Sequence, residues 1–400
     1  MTVWIGTCGT IGTLGTITVV HAETTRALLG LIVSPDGELL KDGKPFRGIG
    51  VNVFDLFKRT LADPLDTSYE QILETLAEYK IPFVRLAACG FWPIDMELYR
   101  SDTEAYFRRM DRVVEAAERH GVGLIPSIAW RLATIPDLVG EPVDQWGNPD
   151  SQTHRFLRTY TRRIVTRYVG SPAIWGWELG NEFNLAADLP NAAEHRPWVV
   201  PARGTPTTRT ARDDLTHAMF RTAIVAFAEE VRLHDPHRML STGNSLPRAS
   251  AWHQMHEGSW RRDTPEQSAQ MLRDDNPDPC DTISVHWYEG LEDAPPYVAM
   301  EVAIEAAREI GKPLFVGEFG VPGPPTPQAV EMFAEMLKTI ENHVPLSALW
   351  VFEFRHLQPD QVPWNVTLDN ARAYQLHAIA EANTRLRAQQ AEPATPTAGD

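Results

Sequence analysis

The chain has 400 residues, 43% of them hydrophobic, and a formal net charge of −16 with no basic block. That composition excludes a disordered chain. The acidic balance argues against nucleic acid or an anionic membrane as partner and suits a neutral substrate.

Residues 1–22, MTVWIGTCGTIGTLGTITVVHA, are apolar and rich in Gly and Thr. Val20-His21-Ala22 has the small-residue pattern of a signal cleavage site, although no Lys or Arg precedes the apolar stretch. A secretory signal is expected, and with it a secreted or periplasmic protein; a disordered extension on a cytoplasmic chain is the alternative. LIVSPDGELLKDGKPF (31–46) reads as a small β-hairpin with Asp-Gly turns that caps one face of the fold.

From residue 46 onward, short apolar runs alternate with amphipathic segments. The runs are 46–52, 82–87, 122–128, 173–180, 238–243, 282–288, 313–319 and 347–354. Near-continuous apolar runs are the signature of parallel strands covered by helices. Spacing of three and four residues predicts helices over 69–80, 103–121, 215–234, 299–311, 327–343 and 370–386, with a weak one over 264–273. Eight strands alternating with helices predict an α/β fold, a single-domain (β/α)8 TIM barrel over 31–386 with the hairpin on its N-terminal face. A doubly wound sheet is disfavoured, because no Gly-rich phosphate loop follows any run. Residues 388–400, rich in Pro, Ala and Thr, are expected to form a disordered tail. The three cysteines, Cys8, Cys89 and Cys280, lack metal spacing and are expected to be idle or buried thiols.

In such a barrel the C-terminal strand ends carry the chemistry. Read in order, those ends are Asn52, Arg85, Trp130, Asn181-Glu182, Asn244, His286 with Tyr288, Glu318 and Trp350. Two carboxylates, Glu182 and Glu318, close the fourth and seventh runs. Facing carboxylates suit glycoside hydrolysis, where one protonates the leaving oxygen and the other attacks or activates water. Asn181 can bond a sugar hydroxyl beside the reacting carbon. Glu178 shares parity with Glu182 but lies deeper, so it reads as a buried structural anion, with Arg85 a possible partner. Asn52 and Asp55 either shape the pocket or cap a loop, and Glu353 receives no role. Among the tryptophans, Trp92, Trp130 and Trp287 lie at or just past strand ends and are the better cleft candidates. Trp146 and Trp252, in loops, could flank outer subsites.

The ordered set WELGNE, SVHWY and FVGEFG, with Arg85 on the second run, resembles glycoside hydrolase family 5, which includes cellulases and β-mannanases. The resemblance covers residues 31–386 and implies a retaining barrel enzyme acting on a β-linked glycan. It implies that Glu182 is the acid/base and Glu318 the nucleophile. Asn181 would hold the 2-hydroxyl, Arg85 would lie near the nucleophile, and His286 and Tyr288 would form the strand-six pair. Trp350 is the match for the tryptophan under the bound sugar, with Phe352 competing. One departure is SIAW at the end of strand three, where many members carry a histidine; Trp130 cannot supply its hydrogen bonds, which leans toward mannanase-like members. No metal or organic cofactor is implied. The expected partner is an oligo- or polysaccharide bound by a monomer, with no nucleic acid or membrane. The rival readings are a barrel that binds carbohydrate without cutting it, and a metal-dependent hydrolase, for which a single strand-end histidine is too few.

Overall fold

The computed structural model describes residues 28–288, 298–355 and 362–391. The expected leader at 1–22, Cys8 within it, and the tail from 392 onward lie outside the described residues. Three short strands come first: β1 (Leu31–Val33), β2 (Leu39–Lys41) and β3 (Lys44–Pro45). They form a small antiparallel sheet, one strand more than the expected hairpin. Both Asp-Gly turns are present, with Gly37 and Gly43 at φ 78° and 74°, a left-handed backbone that costs glycine little.

Eight strands follow: β4 (Gly48–Asn52), β5 (Phe83–Ala87), β6 (Gly123–Ala129), β7 (Gly176–Gly180), β8 (Met239–Ser241), β9 (Ile283–Trp287), β10 (Leu314–Phe319) and β11 (Leu346–Leu349). Each lies within or against one of the eight predicted runs. They pair in parallel in the order β8-β7-β6-β5-β4-β11-β10-β9. Backbone bonds from Asp281 to the Leu240 carbonyl (3.1 Å) and from Leu246 to the His286 carbonyl (3.4 Å) tie β9 to β8 and complete the ring. Every residue of these strands is buried, because the barrel interior covers one face and the helices cover the other.

Seven predicted helices are present, at Ser68–Glu78, Thr103–His120, His217–Arg232, Pro265–Asp274, Met300–Ile310, Pro327–His343 and Ala373–Ala391. The last corrects the predicted tail: residues 388–391 continue the helix. A further helix, Gln152–Tyr168, stands between β6 and β7 without having been predicted. No helix among the described residues is long and apolar enough to cross a membrane.

The small sheet plugs the N-terminal end of the barrel. Leu31 and Leu39 pack with Phe83, Ile125, Trp175, Met239 and Phe315 in one buried cluster, and the Leu31 amide donates to the Trp175 carbonyl at 2.7 Å. Burial of each such side chain contributes about 1.5–3 kcal/mol. With that end sealed, access is left to the C-terminal face.

Candidate active site

Asn181 and Glu182 lie just beyond β7, which stops at Gly180. Glu182 has a left-handed backbone, φ 56°, a conformation costing a non-glycine residue about 1–3 kcal/mol. The bond from its amide to the Gly243 carbonyl (2.8 Å) holds it there, at the start of the 3-10 turn Phe183–Ala186. Gly243 is required for this approach, since a Cβ on it would sit 1.9 Å from the Gly180 carbonyl oxygen. The strand fixes the direction of the chain, and the left-handed turn aims the carboxylate.

Glu318 is aimed differently. The pairing of β10 with β9 shifts register between Val316 and Glu318, so Gly317 is an extra, bulged residue and Glu318 lies opposite His286. A Cβ on Gly317 would come within 2.9 Å of His286 Nε2. The bulge therefore needs glycine to leave room for the imidazole.

Arg85 organises the floor of the site, and each of its three nitrogens donates a hydrogen bond. Nε donates to Glu178 (2.9 Å), and Nη1 to Glu318 Oε1 (2.8 Å) and Asn52 Oδ1 (3.1 Å). Nη2 donates to Asn181 Oδ1 (2.8 Å) and lies 2.8 Å from Glu178 Oε1. Arg85 and Glu178 are fully buried, so the pair is stable only because each is satisfied. Burial alone would lower the Arg85 pKa, but Glu178 and Glu318 more than offset it, and the guanidinium stays charged. Both readings of Arg85 thus hold at once, partner of Glu178 and neighbour of Glu318. Asn52 donates to the Gly317 carbonyl (2.8 Å) and so also steadies the bulge. Asp55 instead pairs with Arg59 at 2.8 Å and accepts from the Arg355 amide at 3.3 Å, which ties down the loop after β11.

His286 and Tyr288 both face the mouth. The Tyr288 hydroxyl donates to Glu318 Oε2 at 2.5 Å. His286 Nδ1 lies 2.9 Å from Glu182 Oε1 and 3.5 Å from Glu318 Oε2. Burial pushes the imidazole down to about 4, so it is neutral at physiological pH, and burial pushes the Tyr288 hydroxyl far up, so it remains a donor. An oxygen of Glu182 and one of Glu318 come within 4.8 Å of each other.

Burial lifts the Glu182 pKa to about 7, and also raises that of Glu318. Two acids so close share a proton, and the donors around them decide which acid keeps it. Glu318 accepts from a cation and a phenol, both of which favour its anion. Glu182 instead faces a neutral imidazole, and Arg85 and Arg248 oppose its raised pKa only through charge, with no hydrogen bond to it. The unlike donors favour the anion on Glu318 over that on Glu182. The same Glu182–His286–Glu318 atoms could in principle hold a metal ion. The Arg85 cation against Glu318 works against a second cation there.

The aromatic wall corrects several expectations. Trp130 is buried, 5% exposed, with the Arg85 guanidinium 4.5 Å from its ring centre and the Trp350 ring stacked at 6.1 Å and 23°. It backs the site through these contacts. Trp350 is half-buried, whereas Phe352 is 1% exposed, so of the two rings Trp350 is the one that keeps exposed surface. Trp287 and Trp146 are buried packing residues, the latter donating to the Leu132 carbonyl at 2.8 Å. Asn244 turns to the Asp275 carbonyl (2.8 Å) and away from the site, and Trp252 packs on His256. Two residues were missed from sequence. Trp364 packs edge-on against the Tyr288 ring at 4.9 Å. Arg248, just past β8, acts electrostatically on Glu182. Both lie in loops without a local pattern that ties them to a strand end.

Comparisons with known proteins identify a family and a fold. The family model described as cellulase (glycosyl hydrolase family 5) matches residues 39–353. A probable mannan endo-1,4-beta-mannosidase A-2 of Aspergillus terreus is 33% identical over 81 residues, 19% of this chain and 20% of that protein. The mannan endo-1,4-beta-mannosidase F of Aspergillus clavatus is 38% identical over 82 residues, 19% of this chain and 18% of that protein. The chain thus spans about a fifth of the length of the curated relatives it matches. Among solved structures, a family 5 mannosidase from Rhizomucor miehei superposes with a TM-score of 0.63 at 13% identity, covering 91% of this chain and all of that one. An endo-beta-1,4-mannanase from Thermotoga petrophila gives 0.59 at 15% identity, covering 86% and 78%. At such identities the superpositions establish the fold.

Proposed function

The chain belongs to the cellulase family, glycosyl hydrolase family 5, and on that footing we propose that it hydrolyses β-linked glycans of the mannan or glucan type with retention of configuration. The observation that carries the reading is the pair of carboxylates, Glu182 and Glu318, with oxygens within 4.8 Å and unlike donors around them. Retaining enzymes hold their two carboxyl groups about 5–5.5 Å apart, while inverting ones leave room for a water between them at about 6.5–9.5 Å.

Glu318, kept anionic by Arg85 and Tyr288, attacks the anomeric carbon. As that bond forms, the glycosidic C–O bond breaks and the Glu182 proton passes to the leaving oxygen. In the second step water gives its proton to Glu182, its oxygen bonds the anomeric carbon, and the ester to Glu318 breaks. Glu182 is then protonated for the next cycle. Asn181 has its carbonyl oxygen occupied by Arg85, which leaves its amide nitrogen to donate to the sugar's 2-hydroxyl. Trp350 supplies the aromatic face beneath the sugar. The mannosidase relatives, and Trp130 in place of a hydrogen-bonding histidine, favour a β-mannan backbone.

The stereochemical outcome tests this reading. Proton NMR of a fresh digest of a β-1,4-manno-oligosaccharide or β-gluco-oligosaccharide should show the β-anomer of the new reducing end first. First appearance of the α-anomer would overturn double displacement.

A further inference from the structure

One cation at the rim of the mouth, Arg131, forms no ion pair among the described residues. Arg131 follows Trp130 directly off β6. Its guanidinium carbon lies 4.3 Å from the ring centre of Trp92, 5.8 Å from that of Trp198 and 5.9 Å from that of Phe91. Both terminal nitrogens, Nη1 and Nη2, are buried and lack a hydrogen-bond partner among the described residues. Burial lowers the pKa to about 10, which leaves the group charged at neutral pH.

The acid that acts on Arg131 is Asp137, but another residue holds it. Arg209 takes both Asp137 oxygens, at 2.6 and 2.7 Å, and reaches Asp213 at 3.3 Å. Asp213 also accepts from the Thr210 amide at 2.9 Å. Both acids of the cluster are therefore engaged by Arg209, and Arg131 is left with aromatic faces. Those faces attract a cation but satisfy none of its N–H donors.

One of the rings beside Arg131 is exposed. Trp198 lies in the long connection between β7 and the helix His217–Arg232 and is 65% exposed. Arg209 pins the backbone there, donating to the carbonyls of Pro197 (3.2 Å) and Trp198 (3.5 Å). A ligand reaches the buried guanidinium nitrogens only if that exposed ring turns aside on its pinned backbone.

We infer that Arg131, Trp92 and Trp198 form a subsite for a sugar unit bearing a carboxylate, a uronic acid carried on an otherwise neutral glycan. Two parallel N–H groups match the two oxygens of a carboxylate, and indole faces match the C–H faces of a pyranose ring. The net charge of −16 disfavours a polyanion, so a single acidic unit is the ligand that fits. The inference rests on the reading of the mouth as a glycan site.

The test is a binding titration, followed by tryptophan fluorescence, with methyl β-D-glucuronide and with its methyl ester. The wild-type protein should bind the acid at least about tenfold more tightly than the ester, the scale of a charge-assisted pair. In Arg131→Met the two should bind alike, and Arg131→Lys should restore part of the preference. Equal binding of acid and ester by the wild type, or no binding of either, overturns the inference, as does a preference that survives in Arg131→Met. The wild-type comparison needs no variant to fold. Because the readout is binding, a protein that prefers the acid yet cuts no glycan would fail the hydrolytic reading and leave this subsite standing.

Discussion

Glu182 and Glu318 carry the same functional group in the same cavity, and the different roles proposed for them rest on their donors. Glu318 receives Arg85 and Tyr288, whereas Glu182 faces a neutral His286. Removing the phenol separates these effects. Tyr288→Phe deletes a hydrogen bond to a charged group, worth about 1.5–3 kcal/mol, so kcat should fall roughly 10- to 100-fold while the thermal melt changes little. The pH profile carries the sign. Glu318 must be ionised, so activity is lost as pH falls through its pKa, and loss of the Tyr288 bond raises that pKa. The acid limb of kcat/KM in Tyr288→Phe should therefore move to higher pH. Glu182 must be protonated, so the alkaline limb of the wild-type enzyme should fall as pH rises through about 7. An acid limb that stays in place in Tyr288→Phe would remove the phenol from the account.

At the scale of elements, the bulge in β10 aims Glu318, the proposed nucleophile. Gly317→Ala would place a methyl group within 2.9 Å of His286 Nε2, and the imidazole would have to move off Glu182. We expect at least a tenfold loss of kcat with a modest drop in melting temperature, read by steady-state kinetics and calorimetry. A variant with wild-type kcat would show that the tight fit of His286 does not matter. The sequence shows FVGEF as an apolar run, and nothing in its alternation marks the register shift. The aim of Glu182 is hidden for a similar reason, since it depends on a left-handed residue past the end of β7 that Gly243, just past β8, makes possible. Helix Gln152–Tyr168 escaped because its buried stripe includes Thr153, His154, Tyr160, Thr161 and Tyr168 among fewer aliphatics, which blurs the apolar period.

Across the whole molecule, the architecture was legible because parallel strands buried on both faces must be apolar throughout, and eight such runs stand out from the helices between them. The polar residues ending those runs located the catalytic face, and Glu182, Glu318, Arg85, Asn181, His286 and Tyr288 do converge there. The tryptophans were read less well, since position along the chain does not say which ring is covered. Trp287 and Trp146 are buried by other elements, and Trp364 reaches Tyr288 from a loop past the last strand.

The central claim, that Glu182 moves protons and Glu318 forms the bond to sugar, is tested most directly by Glu182→Ala acting on an activated aryl β-glycoside that the wild-type enzyme accepts, with and without azide. An activated aryl oxygen leaves without a proton, so the first step should survive and appear as a burst, after which turnover stalls for want of a base. Azide needs no base and should restore turnover, yielding the β-glycosyl azide, while Glu318→Ala should show neither burst nor rescue to that product. An α-azide from Glu182→Ala, or near wild-type cleavage of polymer by that variant, would contradict the assignment.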